Sequence, residues 1–183
     1  MTVRHLVVVG LSGLLCVAVN PPVHATNDHD QHDAPVGLLK AVREATQDFR
    51  SVKAAMAAGY ASLGSCVTGP ERGAMGIHYA NGPLIDDGVI DAAKPELLIY
   101  EQRGSKLYFV GVEFLVLADQ WNAKHTGAPE LMGQLFHLFE SPNRFGLPAF
   151  YTLHVWAWKD SPTGTFVNWH ANVSCDAFSG QNP

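Results

Sequence analysis

Residues 107–117 read LYFVGVEFLVL, an apolar run with the length and β-branched content of a buried strand. Residues 96–101 form a second β-prone run, and a short turn sequence containing Gly104 separates the two. Two such runs around a glycine-containing turn predict a β-hairpin. We therefore expect an antiparallel sheet in this part of the chain.

Glu113 is the one charged residue inside this apolar run. Removing an ionised carboxylate from water without a partner is costly, so a buried one protonates, pairs with a base or ligates a metal. Side chains alternate along a strand, which groups Glu113 on one face with Leu107, Phe109, Gly111 and Leu115. Gly111 should leave room beside the carboxylate for a partner, a ligand or a water molecule.

Two histidines lie in comparable apolar settings. His78 belongs to GAMGIHYANGP at residues 73–83, whose glycines predict a long loop lying close against a sheet or a ligand. His154 belongs to FYTLHVWAW at residues 150–158, a second predicted strand. Alternation along this strand places one set of residues on one face: Phe150, Thr152, His154, Trp156 and Trp158.

Two histidines and one carboxylate are a familiar ligand set for zinc, and for non-haem iron with open positions. His78, Glu113 and His154 are therefore candidate ligands for a divalent metal such as zinc, copper or iron. No local motif of the HExxH kind links them. A hydrogen bond from a histidine or a tyrosine would satisfy the carboxylate equally well, so both explanations stay open.

The beginning of the chain has the layout of a secretory signal peptide. It has a basic start at Arg4 and His5, an apolar stretch over residues 6–19 and a small-residue cleavage site ending at Ala25. This layout predicts that residues 1–25 are removed and that the mature protein is secreted or periplasmic.

The predicted mature chain divides into two parts. Residues 26–35, TNDHDQHDAP, are polar and rich in His and Asp, and we expect them to form a disordered tail. Residues 36–183 have the length of a single domain. Asp and Glu outnumber Lys and Arg by 17 to 12 over the whole chain, which argues against a nucleic-acid partner. No segment after the leader has the length of a membrane span.

Two cysteines remain after cleavage, Cys66 and Cys175. In an exported chain they are most simply interpreted as one disulfide that ties the end of the first helical region to the C-terminal tail. A metal site built on these cysteines has little support, because they show no CxxC spacing.

The helical pattern precedes the β-prone runs. Apolar residues recur at spacings of three and four over 39–60, after a capping Asp33 and a first-turn Pro35. We also expect a short helix within residues 130–140 and a last strand over residues 165–173. The pattern predicts an α+β fold in which one long N-terminal helix packs on a mainly antiparallel, curved β-sheet.

Several short segments of the sequence resemble segments shared by a group of bacterial secreted proteins: GAMGIHYAN, LLIYE, VGVEF and LHVWAWK. The resemblance covers roughly residues 60–176. It implies a bacterial exported single domain whose most distinctive phrases contain His78, Glu113 and His154. It implies no particular activity, cofactor or catalytic residue.

Three functional hypotheses follow. The first is an exported protein that binds a metal ion through His78, Glu113 and His154. The second is a binding protein for a small apolar or aromatic ligand, in which a pocket is lined by candidate aromatic residues: Tyr79, Tyr100, Trp156 and Trp158. The third is an acid/base enzyme that uses Glu113 and a histidine, which ranks last because no nucleophile elbow, phosphate loop or paired-carboxylate spacing appears.

Overall fold

The structure is a computed structural model that describes residues 1–2, 30–69 and 71–180, with side chains described from residue 36 onward in the first helix. The predicted signal peptide and the first part of the predicted tail therefore lie almost entirely outside the described residues. The division into leader, tail and domain stays a prediction, although residues 30–35 of the predicted disordered tail are helical. None of the helices in the described ranges is long and apolar enough to cross a membrane.

The N-terminal part of the domain is helical, but it is not the one long helix predicted for it. Helix α1 spans Asp30–Thr46, a 3₁₀ turn follows at Gln47–Arg50, and helix α2 spans Val52–Ala57. The break has a local cause, because Ser51 adopts an extended conformation (φ −95°, ψ 113°) and its side chain caps α2 by accepting a hydrogen bond from the backbone of Ala54. The apolar pattern over residues 39–60 is therefore divided among α1, the 3₁₀ turn and α2.

Six antiparallel strands form a curled sheet in the order β1, β2, β3, β4, β8, β7. They span Ala61–Gly69, Gly73–Ala80, Leu97–Arg103, Lys106–Leu117, Phe150–Val155 and His137–Phe139 respectively. A separate pair, β5 (Glu130–Leu131) and β6 (Gln134–Leu135), and two short helices, α3 (Gly82–Asp87) and α4 (Ala118–Asn122), complete the described elements. The α+β class, the hairpin of β3 and β4 and the antiparallel sheet are confirmed.

The helices cover one face of this sheet, which we call the helix face. Leu38, Val42 and Ala55 pack there in one core cluster with sheet residues such as Tyr100 and Phe114. Three further hydrogen bonds fasten the helical segments: Tyr100 Oη to the Phe49 carbonyl (2.6 Å), Trp158 Nε1 to Thr46 Oγ1 (3.1 Å) and Arg43 Nε to the Ala157 carbonyl (2.7 Å). The other face, which we call the site face, carries His78, Glu113 and His154 and a separate small core around Trp156.

Three local predictions are wrong. Residues 73–83 are not a long loop, because most of them form strand β2, where the glycines permit close packing: a Cβ at Gly76 would lie 2.7 Å from the Tyr100 carbonyl oxygen. Residues 130–140 are not helical, because Met132 and Gly133 both have positive φ and close a two-residue hairpin between β5 and β6. Residues 165–173 contribute a single bridge between Ala74 and His170 and no strand.

The predicted alternation fails at two points beside the site. Val110 is an extra residue in β4, since Tyr100 pairs with Phe109 while Ile99 pairs with Gly111. The bulge turns Phe109 to the helix face and Val110 to the site face. Strand β8 ends at Val155, and Trp158 then packs with Phe109 on the helix face, away from the face predicted for it.

The C-terminal tail is held to the sheet by one disulfide and one buried carboxylate. Cys66 and Cys175 are bonded, as predicted. Glu101 on β3 accepts hydrogen bonds from Lys159 Nζ (2.9 Å), from Arg103 Nε (2.8 Å) and from the backbone nitrogen of Ser174 (3.1 Å). Burial opposes ionisation of Glu101, but these donors stabilise the carboxylate and hold its pKa below the usual value.

We predict that loss of the disulfide lowers the free energy of unfolding by about 2–5 kcal/mol, because the bond closes a loop of 109 residues in the unfolded chain. The measurement is urea denaturation of the wild type and of a Cys66→Ser, Cys175→Ser double variant, each with and without reductant. Reductant should shift the wild-type midpoint and leave that of the variant unchanged. Equal midpoints for the two proteins in the absence of reductant would contradict the prediction.

Candidate metal centre

Three strands each contribute one side chain to the site face at the same place. His78 lies on β2, Glu113 on β4 and His154 on β8. Their sequence neighbours, such as Ile77, Val112 and Leu153, belong to the core on the helix face, so alternation points the three site residues the other way. The structure therefore brings together all three residues that the sequence proposed as metal ligands.

The register of the sheet explains the convergence. Glu113 and His154 are direct partners across β4 and β8, and His78 lies two strands from Glu113, beyond β3. The Glu113 Oε2 atom lies 3.2 Å from His78 Nε2 and 3.8 Å from His154 Nε2. One ligand atom from each residue lies within 4.8 Å of the other two. This buried cluster is geometrically able to hold a metal ion.

Thr152 orients the Glu113 carboxylate. Its hydroxyl donates a hydrogen bond of 2.5 Å to Glu113 Oε1, which leaves Oε2 directed towards the two imidazoles. Thr152 and His154 are two positions apart on β8 and so share the site face. An outer partner of this kind fixes the geometry of a metal-ligating carboxylate.

The surroundings of His154 are unusual for a buried histidine. The residue is 1 % exposed, and neither ring nitrogen has a hydrogen-bond partner among the described protein atoms. Asn168 lies beside the ring, but no hydrogen bond of normal geometry joins the two side chains, and Asn168 Oδ1 also lacks a partner among the described protein atoms. Buried polar atoms are normally paired. His154 is therefore a ring whose nitrogens the surrounding protein leaves available.

The electrostatics suit metal ligation. Burial alone would raise the pKa of Glu113, but His154, His78 and Thr152 stabilise the carboxylate and hold its pKa at about 2. Burial lowers the pKa of His154 to about 4, although Glu113 opposes this shift. At neutral pH the cluster therefore presents an ionised carboxylate beside a neutral His154 imidazole, the protonation states that a metal ion requires of such ligands.

Gly111 does not provide the space predicted for it. A Cβ at this position would lie 2.7 Å from the Val155 carbonyl oxygen and 3.1 Å from Trp156 Cε3. The glycine is needed so that the backbone of β8 and the Trp156 ring can approach β4. The room around the carboxylate lies on another side.

That room is a partly enclosed cavity of about 500 Å³ on the site face. His78, Glu113 and His154 line it together with mainly apolar side chains, which include Leu97, Leu115, Phe139, Phe145 and Phe150. Cavities of this size commonly hold small ligands. The cluster thus lies at the wall of a space into which a further ligand could fit.

The four aromatic residues predicted to line a ligand pocket do not line this cavity. Tyr79, Tyr100 and Trp158 pack on the helix face. Trp156 lies on the site face within a separate small core, where its Nε1 donates to the Val167 carbonyl (2.6 Å). The ligand role of these four residues stays a prediction that the geometry does not support.

Sequence reasoning missed two neighbours of the cluster as functional residues, Thr152 and Asn168. Alternation along the predicted strand places Thr152 on the same face as His154, and this is the signal that identifies it as a neighbour. Asn168 lies in irregular chain far from the strands in sequence, and no local pattern places it beside His154. Long-range placement of this kind needs the tertiary structure.

No protein-family model matches the chain, and neither a curated protein nor a solved structure does. The resemblance to a group of bacterial secreted proteins therefore stays a prediction. What the site can do has to be argued from its own geometry.

We predict that Gly111→Ala lowers the free energy of unfolding by about 1–3 kcal/mol, because the added methyl group would overlap the Val155 carbonyl and separate β4 from β8. Chemical denaturation measures the change. Gly127→Ala is the matched control, since nothing lies within 4 Å of a Cβ there. Equal stability of the two variants would count against this packing of β8 on β4.

Proposed function

We propose that this protein is an exported domain that binds one divalent transition-metal ion through His78 Nε2, Glu113 Oε2 and His154 Nε2. The observation that carries the proposal is the convergence of these three buried donors within 4.8 Å. A simple hydrogen bond between Glu113 and His78 accounts for two of the residues. It does not account for His154, whose nitrogens have no partner among the described protein atoms.

The donor set favours zinc among the three predicted metals. Two imidazole nitrogens and one carboxylate oxygen form a typical zinc site that keeps a fourth position open. With metal–ligand bonds of about 2.0–2.1 Å, tetrahedral ligands lie about 3.3 Å apart. The separations of 3.2 and 3.8 Å from Glu113 to the two histidines lie on either side of this value, and all three donors lie within 4.8 Å of one another. Iron(II) uses the same ligands with more open positions, and it is the other metal to look for.

The acid/base alternative is weaker on physical grounds. A general base works best when its pKa lies near the working pH, whereas the pKa of Glu113 is about 2. A carboxylate that is so strongly stabilised by its neighbours accepts a proton reluctantly at neutral pH. The same property makes Glu113 a good permanent anion for a metal ion.

We predict that the untagged protein, expressed from the full-length chain in a secreting host, contains about one equivalent of metal by elemental analysis. Glu113→Gln should lose that equivalent, because the neutral amide is a poor ligand but nearly isosteric. His125→Gln is the matched control, since His125 is exposed and stacks on Trp121 away from the cluster. Metal held by the predicted His/Asp tail would persist in both variants, so the experiment distinguishes it from metal bound at the cluster. A wild type without stoichiometric metal, or a Glu113→Gln variant that keeps it, would overturn the proposal.

We predict further that Thr152→Val weakens zinc binding about 10–100-fold while the protein stays folded, because valine keeps the shape of the side chain but cannot hold Glu113 Oε1. Competition with a chromophoric chelator gives the affinity, and circular dichroism checks the fold. An affinity equal to that of the wild type would show that Thr152 does not orient the ligand.

A further inference from the structure

The cavity next to the cluster has two kinds of lining. Its walls are mostly apolar and come from β1, through Leu63 and Val67, and from the segment after β7, through Phe145 and Leu147. Its polar side chains are those of the His78, Glu113 and His154 cluster together with Ser65 and Arg144. A ligand that fits this cavity therefore needs an apolar body and one polar group.

Arg144 gives the opening a positive charge. It is the only Lys or Arg among the described residues that line the cavity. Its Nη2 donates to the Thr68 carbonyl (3.2 Å), and its guanidinium lies 5.8 Å from the centre of the Trp169 ring. No carboxylate of the described residues lies within ion-pair distance of it. Arg144 thus forms no ion pair among the described residues, although Glu71 lines an adjoining cavity with it.

The charge at the cluster has the same sign once a metal is bound. A divalent ion with one carboxylate and two neutral imidazoles carries a net charge of about +1 in a buried setting. Such a charge is costly next to apolar walls unless an anion completes the coordination. The open fourth position and the rim arginine both favour a negatively charged oxygen.

We infer that this cavity binds a small aromatic or aliphatic organic acid, whose carboxylate completes the coordination of the metal while its apolar body fills the space between β1 and the segment after β7. The inference rests on the proposed metal site and adds the chemical class of the ligand. A cavity of about 500 Å³ accommodates a ligand larger than acetate, so the apolar body contributes through the area that it buries. The cation at the wall selects the acid over its neutral amide.

The test uses the zinc-loaded full chain and isothermal titration calorimetry with three probes. Naphthalene-2-carboxylate is the matching ligand, naphthalene-2-carboxamide lacks the charge, and acetate lacks the apolar body. The carboxylate should bind at least about tenfold more tightly than either of the other two, which corresponds to about 1.4 kcal/mol for each missing element. Equal binding of the carboxylate and the amide would overturn the inference.

A cavity-filling variant locates the binding. Leu63 is an exposed residue of the lining, so Leu63→Trp should fill the space without disturbing the core. This variant should keep its equivalent of zinc and lose at least about tenfold in affinity for naphthalene-2-carboxylate. Leu135→Trp is the matched control, because Leu135 is equally exposed but lies outside the cavity lining. Unchanged binding in Leu63→Trp would place the probe elsewhere and refute the assignment.

The two proposals fail in different ways. If the chain holds zinc but does not bind naphthalene-2-carboxylate, the ligand class is wrong and the metal site stands. If the chain holds no stoichiometric metal, the metal site is wrong and the metal-dependent inference falls with it. Arg144→Gln should weaken binding of the carboxylate several-fold and leave the zinc content and the amide affinity unchanged. Equal effects on both probes would exclude a role of the Arg144 charge.

Discussion

The pairing of β4 with β8 is the constraint on which the rest of the structure depends. It places Glu113 directly opposite His154 and, through the alternating residues, Phe114 opposite Leu153 in the core under the helices. The side-chain period of a strand is two, so a slip of one residue would move a charged group into the core and an apolar one to the site. The same hydrogen-bonded ladder therefore specifies both the core and the cluster. Gly111 permits this register, because no side chain separates β4 from the end of β8.

Burial of the Glu113 carboxylate has a cost that the fold offsets with several donors. Thr152 donates a hydrogen bond to Oε1 of the carboxylate, His78 Nε2 lies 3.2 Å from Oε2, and His154 Nε2 lies 3.8 Å from the same oxygen. Without a metal the arrangement is only partly satisfied, since His154 has no hydrogen-bond partner among the described protein atoms. A bound cation would use His154 and Glu113 together. Side chains whose polar atoms find better partners in a ligand than in the folded chain are typical of functional sites, where some stability of the fold is lost in favour of binding.

The sequence predicts correctly those features whose signal lies within a short stretch of neighbouring residues. Strands β3 and β4 were found because period, turn and composition agree within residues 96–117. The sequence predicts a loop in place of strand β2, because the glycines that permit close packing beside β3 also resemble turn signals. The sequence predicts the wrong face of the sheet for Phe109 and for Val110, because a bulge cannot be recognised within a continuous run of apolar residues. The three site residues were found from the chemistry of buried charge, whereas Asn168 could not be found without the tertiary fold.

The disulfide and the site are connected through one wall of the cavity. Cys66 lines the cavity, and its bond to Cys175 fastens that part of β1 to a tail that Lys159 and Glu101 hold against the sheet. β1 is the edge strand next to β2. Among the described residues, its pairing with β2 and smaller contacts, such as that of Arg144 with Thr68, would hold this wall in place without the bond. An oxidising compartment, which the predicted leader implies, would therefore complete the cavity as well as stabilise the chain. The candidate metal ligands lie on β2, β4 and β8, and of these strands only β2 pairs with β1. Reduction should consequently affect the wall that contacts a ligand more than the residues that would hold the ion.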